Sequence, residues 1–375
     1  MKKKKAQWSQ ILGSAVMILI GIVCGIILAK SPSVFPVDNT VNKILWLISL
    51  LVVMYLATII HMIIHEAGHL IFGIMSGYRF SSFRILSHIW IKKDNKMQHL
   101  RLKIAGTGGQ CLMSPPPMLD DKLPVILYNL GGSFANIIIG AICLCLYFVF
   151  INTPFLSAVL LIMALVGFIF GILNGIPMRL GTVDNDGYNA WSLTRNQAAM
   201  RAFWIQLKVN EEISQGKRLQ DMPDEWFDFP SDENLKNSMV AVIGVFACNR
   251  LMDQHRFNEA KSQMKHMLKI ETGIVGLHQR MMICDLLYLE LIGKNRPEIC
   301  ARYFSREQDK FMRSMKNFPS IIRTQYAYAL LANHDAKKAQ LYRIHFNQAA
   351  KTYPYNNEVA AERELMDIAK NIASI

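Results

Sequence analysis

Charged residues are scarce in this chain, and hydrophobic residues are abundant. Charged residues make up 18% of the 375 positions, and hydrophobic residues make up 52%. The mean hydropathy of +0.20 is unusual for a soluble protein of this size and indicates a membrane protein. The chain is long enough for two or three domains.

Cysteines are few and show no pairing pattern. The chain has seven, and no two of them form a C-x-x-C pair. An odd number argues against a closed disulfide framework of the kind that staples small secreted proteins. We therefore expect reduced thiols that pack as small hydrophobic side chains, in the membrane or in a reducing cytosol.

A signal-peptidase site is missing after the first apolar stretch. This stretch runs from Ile11 to about Ala29, behind a lysine-rich N-terminus, and no A-x-A sequence follows it. It is also longer than the roughly 7–15 apolar residues of a secretory signal. We therefore expect an uncleaved transmembrane helix, so that residues 1–43 form an N-terminal helix and an external loop.

Three further apolar stretches follow in the first half of the chain. They run from about Ile44 to Met75, from about Leu123 to Ile151, and from Phe155 to about Met178. Each exceeds the roughly 20 residues that a helix needs to cross the hydrocarbon layer. The sequence therefore predicts a polytopic α-helical membrane protein with about four transmembrane helices and a membrane core over residues 44–191.

The distribution of basic residues predicts the orientation in the membrane. The formal net charge is +13, and basic residues concentrate at the N-terminus and in the loop 78–122, whereas loop 30–43 has few and turn 152–154 none. Because cytoplasmic loops carry the excess of lysine and arginine, we expect a multi-pass cell-membrane protein with both termini cytoplasmic. No nucleic-acid partner is expected, since the basic residues are spread over loops without a binding motif.

The loop 78–122 has a strand-like pattern. Apolar residues alternate around Phe83 and again around Trp90, a glycine-rich turn lies at 106–109, and Ser114 precedes three prolines. Alternation over short runs between turn residues is typical of β-strands. We expect a small β-rich cytoplasmic loop.

The second half of the chain is polar and periodic at helical spacing. Acidic and aromatic residues between Pro223 and Pro230 indicate a linker, which we place at 192–233. Residues 234–375 are expected to form a cytoplasmic α-helical domain of five to seven helices. Two segments, 241–268 and 326–354, are loosely similar to tetratricopeptide helix pairs, although a generic helical domain fits equally well. This domain has no catalytic pattern, so its expected role is to bind a protein partner such as a regulator, to recruit substrate, or to mediate self-association.

The second apolar stretch contains the sequence His65-Glu66-Ala67-Gly68-His69. Residues four apart share one face of a helix, so both imidazoles can reach one metal ion while Glu66 can take a proton from a water at that ion. An ionisable residue at the centre of a span costs roughly 2.5–3.5 kcal/mol on translocon scales, and is therefore functional by default. A catalytic zinc site uses three protein ligands and one water.

The third ligand has to come from another element. Beyond the fourth span, Pro177 ends the helix, and Asp184 and Asp186 follow, the latter beside a turn-permitting Gly187. Both aspartates are candidates, with Asp186 preferred. His61, one turn before His65, is either a further nitrogen ligand or a supporting residue.

A polar residue in the third span is a second candidate for a catalytic role. Asn136 follows a run of small residues, which let helices approach closely. An asparagine in lipid should face the bundle interior, where it can hydrogen-bond a substrate or support an oxyanion. A hydrogen bond between helices without a catalytic part is the alternative.

Together these motifs resemble the site-2 protease family of intramembrane zinc metalloproteases. The family has H-E-x-x-H in one span, a small-residue motif ending in asparagine in the next, and N-x-x-P followed by an aspartate–glycine pair at the third. The matching segments are His65–His69, Gly132–Asn136 with Ser133 in place of the usual proline, Asn174–Pro177, and Asp186-Gly187 after a longer spacing. The resemblance covers roughly residues 44–190. It implies a three-helix catalytic core, Zn²⁺ held by His65, His69 and Asp186, and Glu66 as the general base.

The expected function is hydrolysis of peptide bonds within or next to transmembrane or signal-type segments of membrane peptides, in regulated proteolysis or peptide maturation. A catalytically idle relative that binds membrane peptides, for instance for immunity, is the alternative. An intact Glu66 argues against that alternative. A purely structural zinc site would be closed by four protein ligands, whereas the sequence offers three.

Overall fold

The computed structural model describes the following residues: 21–22, 25–27, 40–93, 96–104, 107–120, 122–180 and 183–374. The chain divides into two compact units. The membrane unit comprises Met1–Phe80 and Pro116–Gln197, and the second unit comprises Ser81–Pro115 and Ala198–Ile375. The β-rich loop therefore belongs with the C-terminal helices and not with the membrane helices between which it lies in the sequence.

Three helices of the membrane unit are long and apolar enough to cross a membrane. They are α1 (Thr40–Met75), α2 (Val125–Val149) and α3 (Pro154–Gly175). They correspond to the second, third and fourth predicted spans. The first predicted span, Ile11 to about Ala29, lies outside the described residues except for 21–22 and 25–27, which are helical.

Helix α3 ends earlier than its apolar run suggests. The apolar run continues to about Met178, with Pro177 expected to end the helix, whereas the last helical residue is Gly175 and Ile176 is extended, with φ −76° and ψ 128°. The reason is Pro177, which disfavours the helical conformation of the residue before it. The chain then forms the two-residue strands β5 (Arg179–Leu180) and β6 (Val183–Asp184), followed by helix α4 (Asp186–Leu193).

The three membrane helices pack through small residues inside and expose apolar residues outside. A Cβ atom added to Gly68 would lie 2.3 Å from the backbone oxygen of Gly131, so α1 and α2 nearly touch at that point. Ala57 and Ala158 are buried between the helices, whereas Leu51 is exposed at 60%. An apolar exterior around a close-packed interior fits a hydrocarbon environment.

The second unit contains a four-stranded sheet with the order β3-β2-β1-β4. Its strands are β1 (Arg79–Ile85), β2 (His88–Lys93), β3 (Lys96–Arg101) and β4 (Gly109–Ser114). Antiparallel pairing sets Phe83 opposite Trp90 and Trp90 opposite His99. The predicted β-rich loop is thus present. Ile89 and Ile91 point to the other face of β2 and are buried in one core with the C-terminal helices.

The helices of the second unit begin earlier than expected. Helix α5 (Gln197–Ser214) occupies much of the segment 192–233 for which a linker was predicted. The segment between the two prolines is packed as well, since Trp226 and Phe227 are buried and the Arg250 guanidinium lies 4.8 Å from the Phe227 ring centre. The acidic residues between Pro223 and Pro230 therefore lie in a segment that contains a short 3₁₀ turn and packs against the core. This segment is not an extended linker.

Beyond residue 234 the described chain forms eight α-helices, compared with an expected five to seven. They are α6 (Ser238–Asp253), α7 (Phe257–Lys269), α8 (Gly276–Leu291), α9 (Pro297–Tyr303), α10 (Arg306–Ser314), α11 (Pro319–Ala327), α12 (Ala336–Ala350) and α13 (Asn356–Ala373). Helices α9 and α10 are too short to display a clear sequence period. The pair α6–α7 coincides with segment 241–268, whereas segment 326–354 contains only the end of α11, the π-helical turn Tyr328–Ala332 and α12. The similarity to tetratricopeptide repeats stays a prediction.

Candidate metal centre

Helix α1 places the two motif histidines one turn apart, and a distant carboxylate meets them. The Nε2 atoms of His65 and His69 are 3.2 Å apart. Oδ2 of Asp186 lies 2.9 Å from Nε2 of His65 and 3.4 Å from Nε2 of His69. Among the described residues this is the one group of three histidine, cysteine or acidic side chains close enough to hold a metal ion together.

The spacing and chemistry of these three atoms fit a zinc ion. Ligand atoms held tetrahedrally at about 2.0–2.1 Å from zinc are roughly 3.3 Å from one another. The three observed separations, 2.9, 3.2 and 3.4 Å, scatter around that value. Two imidazole nitrogens and one carboxylate oxygen are also a donor set that zinc accepts, and they leave a fourth position open.

A backbone carbonyl fixes the tautomer of His69. Nδ1 of His69 lies 2.7 Å from the Tyr128 backbone oxygen. A carbonyl oxygen only accepts, so Nδ1 carries the proton and donates, and the lone pair of Nε2 points toward His65 and Asp186. The Tyr128 ring stacks on Tyr78 with centroids 4.6 Å apart, which holds this part of α2 in place. Histidines that bind metals are commonly oriented by such contacts.

The Asn136 amide lies between two histidines of α1. Its Oδ1 is 2.9 Å from Nδ1 of His61, and its Nδ2 is 3.1 Å from Nδ1 of His65. Asn136 and His61 are both fully buried. Asn136 therefore lies in the interior of the helix bundle, as the sequence predicts. Its amide contacts a candidate ligand, and His61 reaches that ligand only through Asn136.

The two candidate aspartates have different partners. Asp184 faces Arg179, with Oδ1 2.6 Å from Nε, whereas Asp186 faces the two histidines. Asn185 between them accepts from the backbone N–H groups of Tyr188 and Met178 and donates to the carbonyls of Leu173 and Ile176. It thereby caps α4 and ties it to the end of α3. This junction directs Asp186 toward α1.

The charges around Asp186 favour its ionised form. Burial raises the pKa of its carboxyl, but when the His65 and His69 rings are protonated, their hydrogen bonds and charge outweigh burial and hold that pKa well below its usual range. An ionised carboxylate is the form that binds a cation. Glu66, on the next position of α1 after His65, is buried with 8% exposure.

Close helix packing leaves the His65 ring little room to move. A Cβ atom added to Gly132 of α2 would lie 2.6 Å from the His65 ring. The small-residue run before Asn136 therefore does more than bring helices together. It provides the space in which the imidazole sits.

Residues 40–209 match the family model described as Peptidase M50B-like. This segment is similar to that family. The predicted resemblance to the site-2 protease family is confirmed, because the match includes all of the motifs on which it rests. The family indicates a membrane protease. Residues 210–375 lie outside the matched segment. No curated protein and no solved structure matches the chain.

Sequence reasoning did not assign roles to three groups around the M50B-like site. They are the Tyr128 carbonyl, the Asn185 side chain and the Arg179 guanidinium. A backbone carbonyl leaves no sequence signal. Asn185 does leave one, because asparagine is a preferred N-cap residue and it directly precedes the first residue of α4.

Proposed function

We propose that this protein is a zinc-dependent intramembrane endopeptidase. It cuts peptide bonds within or next to transmembrane or signal-type segments of membrane peptides. The observation that carries this proposal is the meeting of His65, His69 and Asp186 with tetrahedral spacing, directly beside a buried Glu66. His65, Glu66 and His69 lie in a helix long and apolar enough to cross a membrane, which is why we place the substrates there.

Each polar residue of the site has a defined task in this proposal. His65, His69 and Asp186 hold the metal, and zinc supplies Lewis acidity toward the scissile carbonyl group and toward water. Glu66 takes a proton from the attacking water as the carbon–oxygen bond forms. It then gives that proton to the amide nitrogen as the carbon–nitrogen bond breaks. The second proton of the water passes from the new carboxyl group to the amine, so the products are a carboxylate and an ammonium group, and Glu66 ends the cycle ionised.

Asn136 acts in this scheme as a positioning residue, not as the oxyanion donor. Nε2 of His65 can bind a metal only if the ring proton sits on Nδ1. A half-turn of the Asn136 amide then presents Oδ1 to that proton and Nδ2 to His61. Nδ1 of His61 accepts a hydrogen bond from the amide in that arrangement. The hydrogen-bonded chain His61–Asn136–His65 therefore favours the His65 tautomer whose Nε2 can bind a metal. Full burial of Asn136 also removes it from direct contact with a substrate.

The orientation and the alternative function belong to the same proposal. The basic N-terminus and the basic loop 78–122 favour cytoplasmic termini. A catalytically idle peptide-binding protein is the second candidate. It has no use for a general base, so retention of Glu66 beside the ligands favours the enzyme.

The membrane peptides of cells test this function. We compare cells that carry the native chain with cells that carry Glu66→Gln, which keeps the ligands and removes the base. Glu225→Gln, an exposed glutamate of the second unit, is the matched control. Spanning segments that accumulate uncut only with Glu66→Gln support the protease and identify its substrates. Identical peptide profiles in all three strains contradict it and favour peptide binding.

A further inference from the structure

The second unit contains a cavity of about 380 Å³ between its sheet and its helices. Leu102 and Leu112 of the sheet region line one side, and residues of α6, α8, α11 and α13 line the others. His255, whose side chain is 42% exposed, also lines the cavity and marks its opening. The volume is in the range of ligand pockets, which hold roughly 300–1,000 Å³.

The cavity wall has an excess of negative charge. Four carboxylates line it, Asp253, Asp285, Glu358 and Glu362, against two guanidinium groups. The Arg323 guanidinium is saturated by Asp285 at 2.6 Å and Glu362 at 2.8 Å. The second guanidinium, that of Arg218, bridges Asp253 at 2.8 Å and, at 2.6 Å, Glu364 outside the wall. Since each arginine is already shared by two carboxylates, neither can neutralise the remaining wall charge.

Glu358 is the carboxylate without a cation. It accepts a hydrogen bond from the Tyr353 hydroxyl at 2.6 Å, and it has no ion pair with any described residue. Burial, together with the charges of Glu362 and Asp253, raises its pKa to about 7, although the Tyr353 bond opposes this shift. A carboxylate placed this way is stabilised by any cation that enters.

A second acceptor lies on the neighbouring residue. Oδ1 of Asn357 is buried and has no hydrogen-bond partner, and Asn357 is only 8% exposed and lines the same cavity. Its amide nitrogen is used, since it donates to the Lys217 carbonyl. Unsatisfied buried acceptors are uncommon in native proteins. This oxygen therefore points to an occupant that supplies a donor.

The rest of the wall fits a flexible aliphatic chain. Met252, Met281, Met282 and Met315 line the cavity, and methionine adapts to irregular apolar shapes. An occupant with a cationic, hydrogen-bond-donating tip and an apolar stem would match both parts of the wall. Lysine and arginine side chains have this construction.

We propose that this cavity binds a lysine or arginine side chain of a peptide segment, with the cation between Glu358 and the Asn357 Oδ1 atom. The source of the segment rests on the proposed function. Cytoplasmic flanks of membrane spans carry an excess of lysine and arginine, so the flank of a membrane substrate would present such a side chain to a cytoplasmic unit. The second unit is then a substrate-docking module.

Peptide binding to the full chain in detergent micelles tests this assignment. The probe is a fluorescent peptide of leucine, serine and lysine, compared with the same peptide in which norleucine replaces each lysine. All chains carry Glu66→Gln, so that no cleavage occurs. Glu358→Gln removes the cavity charge and can still accept from Tyr353. Asp367→Asn, on the same helix α13 but outside the cavity, is the matched control, and thermal unfolding verifies folding.

The expected result is an affinity for the lysine peptide about tenfold or more above that for the norleucine peptide. Glu358→Gln should remove this difference, and Asp367→Asn should keep it. A second variant, Glu358→Lys, should abolish binding of the lysine peptide by filling the site with its own cation. Equal affinity of both peptides, or an unchanged lysine preference in folded Glu358→Gln, overturns the proposal. Tighter binding of free spermidine than of the peptide overturns the assignment to a peptide.

The outcomes separate this inference from the proposed function. Equal affinity for both peptides, in a protein whose form with Glu66 intact cleaves its substrates, would overturn this inference and leave the metal site as proposed. A lysine preference in a chain that cuts nothing would leave the docking cavity and remove the protease.

Discussion

Oδ2 of Asp186 lies 2.9 Å from Nε2 of His65, although 121 residues separate the two in the chain. This contact joins the start of α4 to the first histidine of the H-E-x-x-H motif. It closes a three-atom site that neither segment could form alone. If this site holds zinc, changes to its ligands and to the residues that position them should lower metal affinity. The stability of the second unit should depend separately on the ionisation of Glu358.

Replacing Asp186 and Asp184 one at a time should show which aspartate binds the metal and which has only a structural role. Asp186→Ala removes one of three ligands. Loss of an outer hydrogen-bond partner already lowers metal affinity about 10–100-fold, so we expect zinc affinity to fall by more than about 100-fold. Asp184→Asn weakens only the pair with Arg179 and should keep one zinc per chain. Metal analysis of purified protein measures both, and equal zinc content in the two variants contradicts the ligand assignment.

Gly132→Ala should disturb the metal site through the His65 ring. The added methyl group would lie 2.6 Å from that ring, so the imidazole has to move away from Asp186. We expect zinc affinity to fall about 10–100-fold with the membrane helices still assembled. Gly21→Ala, where nothing lies within 4 Å of the added atom, is the control. Unchanged zinc titrations would show that the ring has more freedom than its contacts indicate.

Asn136 variants test the positioning role. Asn136→Asp keeps an acceptor for a protonated Nδ1 of His65, whereas Asn136→Leu removes it. Zinc affinity should therefore be retained by the first and reduced about 10–100-fold by the second. If both variants bind zinc like the native chain but fail to cleave, Asn136 acts on the substrate, as an oxyanion donor would.

Asn185→Ala should loosen the junction that carries Asp186. The change removes the N-cap bond and three further contacts of this side chain with the backbone, and loss of such a cap costs about 0.5–2 kcal/mol. We expect a lower thermal stability and weaker zinc binding together. Asn189→Ala, inside the same helix α4, serves as the comparison. Full zinc affinity in Asn185→Ala would mean that other contacts direct Asp186.

The second unit should lose stability as the pH rises through 7. The pKa of Glu358 is about 7 in the folded chain and near 4.3 in an unfolded chain. A raised pKa in the folded state means that the protonated form is favoured there. Its contribution is complete below about pH 4.3 and is lost as the pH rises from there through 7, with an upper bound of roughly 4 kcal/mol. Tyr353, Glu362 and Asp253 face this carboxyl.

Thermal unfolding of the full chain between pH 5 and 8.5 measures this effect as the difference between native and Glu358→Gln proteins. The other titrating groups largely cancel in that difference. The native protein should lose stability relative to Glu358→Gln as the pH increases. A constant difference across this range would contradict the raised pKa.

Local patterns predicted the local parts of this molecule. The length of the apolar stretches located three membrane helices, and alternation around Phe83 and Trp90 located β1 and β2. The spacing of His65 and His69 was sufficient to predict a shared face, because helix geometry alone sets it. Pro177 shortened α3 through an effect limited to one neighbouring residue.

Long-range contacts decided what the patterns left open. The choice between Asp184 and Asp186 depends on Arg179, which pairs with the first, and on Asn185, which turns the second toward α1. The burial of Ile89 and Ile91 against C-terminal helices depends on partners more than 100 residues away in sequence. No window of the sequence contains that information, so the β-rich loop was not expected to share a core with them.

Zinc content and cleavage, measured on one preparation, test whether this protein is a zinc protease that depends on Glu66. Native and Glu66→Gln chains are purified in detergent and offered the spanning segments that accumulate in Glu66→Gln cells. We predict one zinc per chain in both proteins and cleavage by the native protein alone. Equal cleavage by both proteins, or a native protein that holds zinc and cuts none of these segments, would contradict an intramembrane protease built on Glu66.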